Sequence, residues 1–239
     1  ALFTYSGGDA RKLYNVVELL VDSSNDNNVV IANESVEEIV KQKFLLYDKQ
    51  GEYHYDLISA FIKSVRNSDP NAAIYWMARM LEGGEDPLFI ARRMIILASE
   101  DIGLANPNAL LLANACFDAV HKIGMPEARI VLAECAVYLA SSPKSNASYM
   151  AIERATELIH KTGNLSVPLH LRNAPTQLMR SLNYHKGYKY PHDFPNHFIE
   201  QECLPTEISG TTFYFPADNS KENELKNYLK KLWKDKYNF

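Results

Sequence analysis

The sequence predicts an all-α protein of stacked antiparallel helices, with a small irregular or β element near the C-terminus. Three observations carry that expectation. Apolar residues recur at helical spacing along most of the chain up to Gly163. A polar residue followed by Pro introduces apolar helical patterns at Asp69-Pro70, Asp86-Pro87, Asn106-Pro107 and Ser142-Pro143, with Met125-Pro126 a weaker fifth member. Glycines at Gly83-Gly84, Gly103, Gly124 and Gly163 fall where those helices should stop. Proline suits the first helical position, because the N–H it lacks would be unpaired there, and Asp, Asn or Ser before it caps the next turn. The prolines lie 17, 20, 19 and 17 residues apart. That leaves room for helices of about 12–16 residues joined by short loops, which favour antiparallel neighbours.

Taken in order, Asp9 to about Ser23 reads as a helix with Leu13, Val16, Val17 and Leu20 on one face. Val29-Val30-Ile31 is a short apolar run, and Ser35-Val36-Glu37-Glu38 fits a capping box with Ser35 at the cap. Periodicity stops around Tyr47 to Gly51, the expected domain boundary. The proline-led helices follow; the segments between the prolines share no residue pattern, so they are not a homologous repeat. Past Gly163, Pro168, Pro175, Pro191, Pro195 and Pro205 impose mostly irregular chain with one helix near Thr176–Leu182. Ile208 to Phe215 alternates as a small strand or hairpin would, and a last helix runs from about Ser220 to Lys234.

Composition limits the function. The 239 residues are 46% apolar and 23% charged, enough for a packed core and unlike a disordered chain. With 25 basic and 29 acidic residues the net charge is −4, which does not suggest a general polyanion binder but leaves room for local asymmetry. Three widely spaced cysteines (Cys116, Cys135, Cys203) indicate neither a disulfide framework nor a zinc site, and reduced thiols in a cytosolic protein are the simplest reading. No apolar run approaches the roughly 20 residues of a membrane span, and no secretory signal pattern is present. The chain opens at Ala1 inside structured-looking sequence, so a fragment is expected.

Enzyme motifs are missing. The sequence holds no GxxxxGK[ST] phosphate loop, GxGxxG, GxSxG or HExxH, and none of the seven histidines has zinc-finger spacing to a cysteine. Three stretches nevertheless bear on chemistry. In Ser6-Gly7-Gly8-Asp9-Ala10-Arg11-Lys12-Leu13, Asp9 can cap a helix whose first turn then holds Arg11 and Lys12. Cations there oppose the helix dipole, so the pair reads either as a phosphate site or as solvated surface charge. The second stretch, His160 to His192, carries Lys161, Arg172, Arg180, Lys186 and Lys189 with no Asp or Glu, interleaved with Tyr184, His185, Tyr188 and Tyr190. Cations beside exposed rings suit single-stranded nucleic acid; the alternative is that they meet the chain's own acidic helices. The third, Phe89 to Gly103, is apolar on nearly every side and should lie in a core or against a partner. Glu100 and Asp101 at its C-terminal end, where the dipole disfavours anions, call for cationic or N–H partners. With Arg92 and Arg93 they read as an ion-pair network or subunit contact, and as a catalytic carboxylate pair in the rival reading.

Longer strings resemble a known family. Gly8-Asp9-Ala10-Arg11 resembles the second sensor motif in the helical lid of clamp-loader-type AAA+ ATPases. The run from Tyr47 through Gly51 to Phe61 is similar to the start of the C-terminal domain of the MgsA/RarA family. These are replication-associated recombination proteins, with the Werner-helicase-interacting proteins as eukaryotic relatives. Ser68-Asp69-Pro70, Tyr75-Trp76-Met77-Ala78-Arg79-Met80, Ala91–Gly103, Leu169-His170-Leu171-Arg172-Asn173-Ala174-Pro175-Thr176 and Lys186-Gly187-Tyr188-Lys189-Tyr190-Pro191-His192-Asp193 extend the likeness over nearly the whole chain. Ile62 and Asn67 depart from it, standing where a His and a Gly are expected.

The resemblance implies a partial AAA+ lid over residues 1–44 and a helical oligomerisation domain over 45–239, the latter with an irregular basic segment at 160–205 and a closing helix at 220–234. The parent would be a DNA-dependent ATPase acting in replication, recombination and repair at stalled or gapped forks. It would be a cytoplasmic, nucleoid-associated homotetramer that binds DNA (single-stranded or fork) and works with single-stranded-DNA-binding protein. Arg11 would be the lid arginine that senses nucleotide. No catalytic residue, metal ligand or cofactor falls in this fragment, while ATP and Mg2+ are implied for the parent. Lys161, Arg172, Arg180, Lys186 and Lys189 are the candidate DNA contacts. A purely structural protein–protein scaffold is the alternative function.

Overall fold

The computed structural model describes residues 52–239 together with 2, 13, 14, 17, 18, 20, 21, 31–34 and 36. Arg11, the expected boundary at 47–51 and Ser35, Glu37 and Glu38 of the capping box lie outside the described residues. Within the expected first helix, Leu13, Tyr14, Val17, Glu18, Leu20 and Val21 are helical, and Leu20 is buried. Asn33 and Glu34 are already helical, and the Val36 N–H donates to Ala32 C=O at 3.1 Å. The helical turn therefore begins ahead of the box.

From residue 52 eight α-helices follow: α1 Glu52–Arg66, α2 Pro70–Glu82, α3 Pro87–Leu97, α4 Asn108–Ile123, α5 Ala128–Ser141, α6 Ala147–Thr162, α7 Gln177–Ser181 and α8 Ser220–Trp233. No strand occurs among the described residues. The chain divides into two compact units, Ala1–Leu97 with Leu111–Ser141, and Ala98–Leu110 with Ser142–Phe239.

In the first unit the proline-led starts work as expected. Asp69 Oδ1 accepts from the Ala72 N–H at 2.9 Å, with Pro70 at the first helical position. Asp86 Oδ1 accepts from Leu88 N–H at 2.9 Å, ahead of the turn that Pro87 opens. The helix α5 buries Ala128, Leu132, Cys135, Ala136, Leu139 and Ala140, and α1, α2 and α3 all pack against it. Its Ala and Cys residues let those backbones approach closely, and Phe61, Met80, Ile90, Met94 and Leu132 fill the remaining volume as fully buried side chains. Cys116 and Cys135 are free and buried, with the Cys116 thiol donating to Val131 C=O at 3.7 Å. Neither Pro107 nor Pro126 is itself helical: α4 starts at Asn108 and α5 at Ala128, whose N–H donates to Gly124 C=O at 2.9 Å.

The second unit opens with a π turn at Ala98–Ile102 and a 3-10 turn at Gly103–Ala105. The Phe89–Gly103 pattern was expected as one helix; α3 ends at Leu97 and the wider turn takes over. Gly103 has φ +49°, and a Cβ placed on it would lie 2.9 Å from the Ser145 carbonyl oxygen. Any other residue there would be strained twice, by its backbone and by that contact. Ser145 N–H in turn donates to Asp101 C=O at 2.8 Å. This pairing displaces the expected start of α6. The helix begins at Ala147 instead of Pro143, since residues 142–146 stay irregular to reach the π turn, with Asn106 Nδ2 donating to Ser142 Oγ at 3.1 Å. Both α6 and α8 pack on the 3-10 turn.

The expected strand or hairpin at Ile208–Phe215 is a correction. Thr206–Ile208 is a 3-10 turn and 211–217 is irregular. Side chains hold that stretch in place of a β ladder. Arg154 Nη1 donates to Phe213 C=O at 3.0 Å, with the guanidinium 4.8 Å over the Phe215 ring. Tyr214 OH donates to Glu222 Oε1 at 3.0 Å.

Glu222, in the first turn of α8, is fully buried. Its Oε2 accepts from Asn219 Nδ2 at 2.7 Å while Asn219 Oδ1 accepts from the Glu222 N–H at 3.0 Å, a reciprocal cap of Asn-x-x-Glu form. Burial pushes its carboxyl up, but hydrogen bonds from Ser145, Asn219, Tyr214 and the Ala217 N–H outweigh burial and hold it below the usual carboxylate range. The same contact raises the Tyr214 hydroxyl above its ordinary value, through burial and then the Glu222 hydrogen bond. At the end of α8, Trp233 meets Phe198 edge-on at 5.1 Å, and just beyond it Lys236 pairs with Glu202 at 3.3 Å, closing the tail on the irregular segment.

Two outcomes follow from this packing. Leu132→Ala, at a fully buried position of α5, should cost about 2–5 kcal/mol in urea unfolding. Glu222→Gln should cost about 1–3 kcal/mol at neutral pH, because an amide cannot accept all the donors aimed at that site. The depressed carboxyl contributes stability above the ordinary glutamate pKa of about 4.3 and loses it as pH falls through its lower folded value. The gap between Glu222→Gln and the unaltered chain should therefore narrow in acid, as read from urea midpoints across that range.

Candidate nucleic-acid interface

Between α6 and α8 the chain has almost no regular structure, and no residue of 160–205 is buried. Short-range hydrogen bonds substitute for a core. Thr176 Oγ1 caps α7 by accepting from Met179 N–H at 3.2 Å. The His185 N–H reaches back to Leu169 C=O at 2.9 Å, closing a loop over 169–185. His170 Nε2 lies 2.7 Å from Glu202 C=O, and Gln201 clips both the N–H and C=O of Lys189 at 3.3 and 3.1 Å.

The five cations proposed from sequence occupy different settings. Lys161 sits on α6 and pairs with Glu157 at 2.6 Å; that hydrogen bond and charge hold the Glu157 carboxyl below its ordinary range. Arg172 works inside the fold, with Nε donating to Val167 C=O at 2.7 Å, Nη1 to Tyr184 OH at 3.1 Å, and its guanidinium 5.1 Å over the Tyr184 ring. Arg180 donates from Nε to Ala174 C=O at 3.2 Å, and Lys186 Nζ reaches Asn183 Oδ1 at 3.3 Å. Lys189 is exposed beside the Gln201 clip.

Arg180 and Lys186 line one open recess with Asn173, Ala174, Tyr184 and His185. The His185 ring lies 5.1 Å from that of Tyr188, and farther along Tyr190, His192 and His197 form a second run of rings at 5.1 and 5.0 Å. The expectation of tyrosines interleaved with cations thus becomes a surface of rings and positive charge. Asn173 was not singled out from sequence, since an amide beside an arginine carries no pattern of its own.

The other candidates fall on both units. Arg92, in the first, pairs with Asp86 at 3.2 Å on the exposed side of α3, while Arg93 has a buried Nε with no hydrogen-bond partner among the described residues. Asp101, in the second, is buried and Glu100 half-buried. Burial lowers the Lys144 ammonium from its ordinary value, while the Asp101 carboxylate opposes that shift. Among the described residues no group of three or more His, Cys, Asp and Glu side chains could hold a metal ion, and no helix is long and apolar enough to cross a membrane.

Comparison with known proteins matches two family models end to end. Residues 1–66 match an AAA C-terminal domain and residues 67–233 the MgsA AAA+ ATPase C-terminal region. The replication-associated recombination protein A of Coxiella burnetii is 42% identical over 94% of this chain and 52% of its own length. That of Escherichia coli K12 is 40% identical over 91% of the chain and 50% of its own length. The ATPase WRNIP1 of Dictyostelium discoideum is 39% identical over 90% of the chain and 27% of its own length. The chain spans about half the length of the recombination proteins it matches. With that match running through the helices and the basic irregular segment alike, the chain belongs to the MgsA family, as the C-terminal part of an AAA+ ATPase.

Proposed function

We propose that this chain is the assembly and DNA-contacting region of a clamp-loader-like AAA+ ATPase acting in DNA replication, recombination and repair at stalled or gapped forks. Relatives named for replication-associated recombination support the setting. The observation that carries the assembly role is the exposure of apolar side chains on a region where none is fully buried from residue 148 to 239. On α6, Tyr149, Ile152 and Ile159 are 41%, 61% and 58% exposed, a row at helical spacing that water solvates poorly. The occupant proposed for that row is another copy of the chain, in a homotetramer.

Joining four motors through this region would raise the effective concentration of weak DNA contacts. Those contacts are assigned to the basic segment, with Lys161, Arg172, Arg180, Lys186 and Lys189 as its charges. Single-stranded-DNA-binding protein is the proposed partner and the cytoplasmic nucleoid the proposed location. ATP and Mg2+ are assigned to the remainder of the parent, and Arg11 is the one residue carried toward the nucleotide.

Sedimentation of the 239-residue chain tests the assembly. Its mass should be about four times the 27.1 kDa of one copy at micromolar concentration. The double variant Ile152→Asp with Ile159→Asp should sediment as one copy with unchanged helical circular dichroism. An unaltered chain that is already monomeric, or a double variant that still assembles, would overturn the assignment.

A further inference from the structure

We propose that the recess beside α7 seats one nucleotide unit of single-stranded DNA, with its phosphate on Arg180 and Lys186 and its base against the ring of His185. The proposal rests on the reading that this chain contacts DNA, and it narrows that reading from five charges to two charges and a stacking surface. Arg180 commits only Nε, to Ala174 C=O, so its two terminal amino groups have no partner among the described residues. Lys186 has a single contact, at 3.3 Å, to the neutral Asn183 amide. Both line the same recess, and from residue 160 to 192 no carboxylate is available to neutralise them. A guanidinium fork and an ammonium converging on one open space are the donors a phosphate requires.

The remaining walls suit a base. His185 is exposed and tilted against Tyr188, with ring centroids 5.1 Å apart, so the two form an aromatic ledge. Tyr184 is braced by Arg172, which holds both its hydroxyl and its ring. Arg172 is therefore a positioning residue for the recess. Asn173 adds an amide that can both donate and accept. A single strand offers its base faces to such a ledge, whereas a duplex hides them in its stack.

Fluorescence anisotropy separates the possibilities, using the 239-residue chain with a labelled oligothymidylate and an abasic oligomer of equal phosphate number. Arg180→Ala and Lys186→Ala should each weaken both probes, and the double variant should reduce the salt slope by about 0.7, the contribution of one single-strand phosphate. His185→Ala should weaken the oligothymidylate about five-fold or more and leave the abasic probe unchanged. Lys230→Ala, on the last turn of α8, should bind as the unaltered chain does; circular dichroism monitors folding throughout. If the chain binds oligothymidylate but the recess variants keep its affinity and slope, the seat is wrong while DNA contact stands. Equal affinity for the two probes would likewise remove the base from the proposal. No binding of either probe by the unaltered chain would overturn DNA contact itself, and the seat with it.

Discussion

The carboxylate of Glu222 is the interaction on which the second half of the molecule depends. It lies with no exposed surface where a hydrophobic side chain would ordinarily sit, and it gathers donors from Ser145, Tyr214, Asn219 and the Ala217 N–H. One of those donors precedes α6, three surround the start of α8, and together they tie the last helix to the turns at 98–105. A buried charge without a counter-ion is tolerated only when hydrogen bonds replace its hydration shell. Here they do, and the polar staple holds a region in which no apolar side chain of residues 148–239 is fully buried.

Much of the helical plan was readable because its signals are local. Asp69-Pro70 and Asp86-Pro87 act within one turn, and the caps form as the residue types require. The same reasoning misplaced the start of α6 at Pro143. What decides that start is the Ser145 N–H bonding to Asp101, whose partner lies far back in the sequence. Alternation at 208–215 looked like a strand, but alternation needs a neighbouring extended segment to become a ladder. Arg154 and Glu222 take up that stretch by side-chain bonds instead. Asn219 and Glu222 do stand at capping-box spacing, so half of the staple was visible; its reach to Ser145 was not.

The basic segment shows a similar division. Counting charges treats five cations alike, yet Arg172 is occupied in bracing Tyr184 and Lys161 in pairing with Glu157. Charge density was legible, whereas the geometry that leaves Arg180 and Lys186 facing open space arises from the loop closure at Leu169 and His185. The carboxylate pair in the π turn that follows α3 was equally conspicuous in sequence. Burial beside Lys144 gives Asp101 the cationic neighbour that the helix dipole demanded, which fits a structural role.

The bare row on α6 has a thermal consequence. Burying that row between copies would remove apolar surface from water and so change the heat capacity on assembly. Contacts built on Tyr149, Ile152 and Ile159 would draw on water's reluctance to hydrate those surfaces, a drive that fades in the cold. An assembly held this way loosens on chilling before its subunits lose their helices.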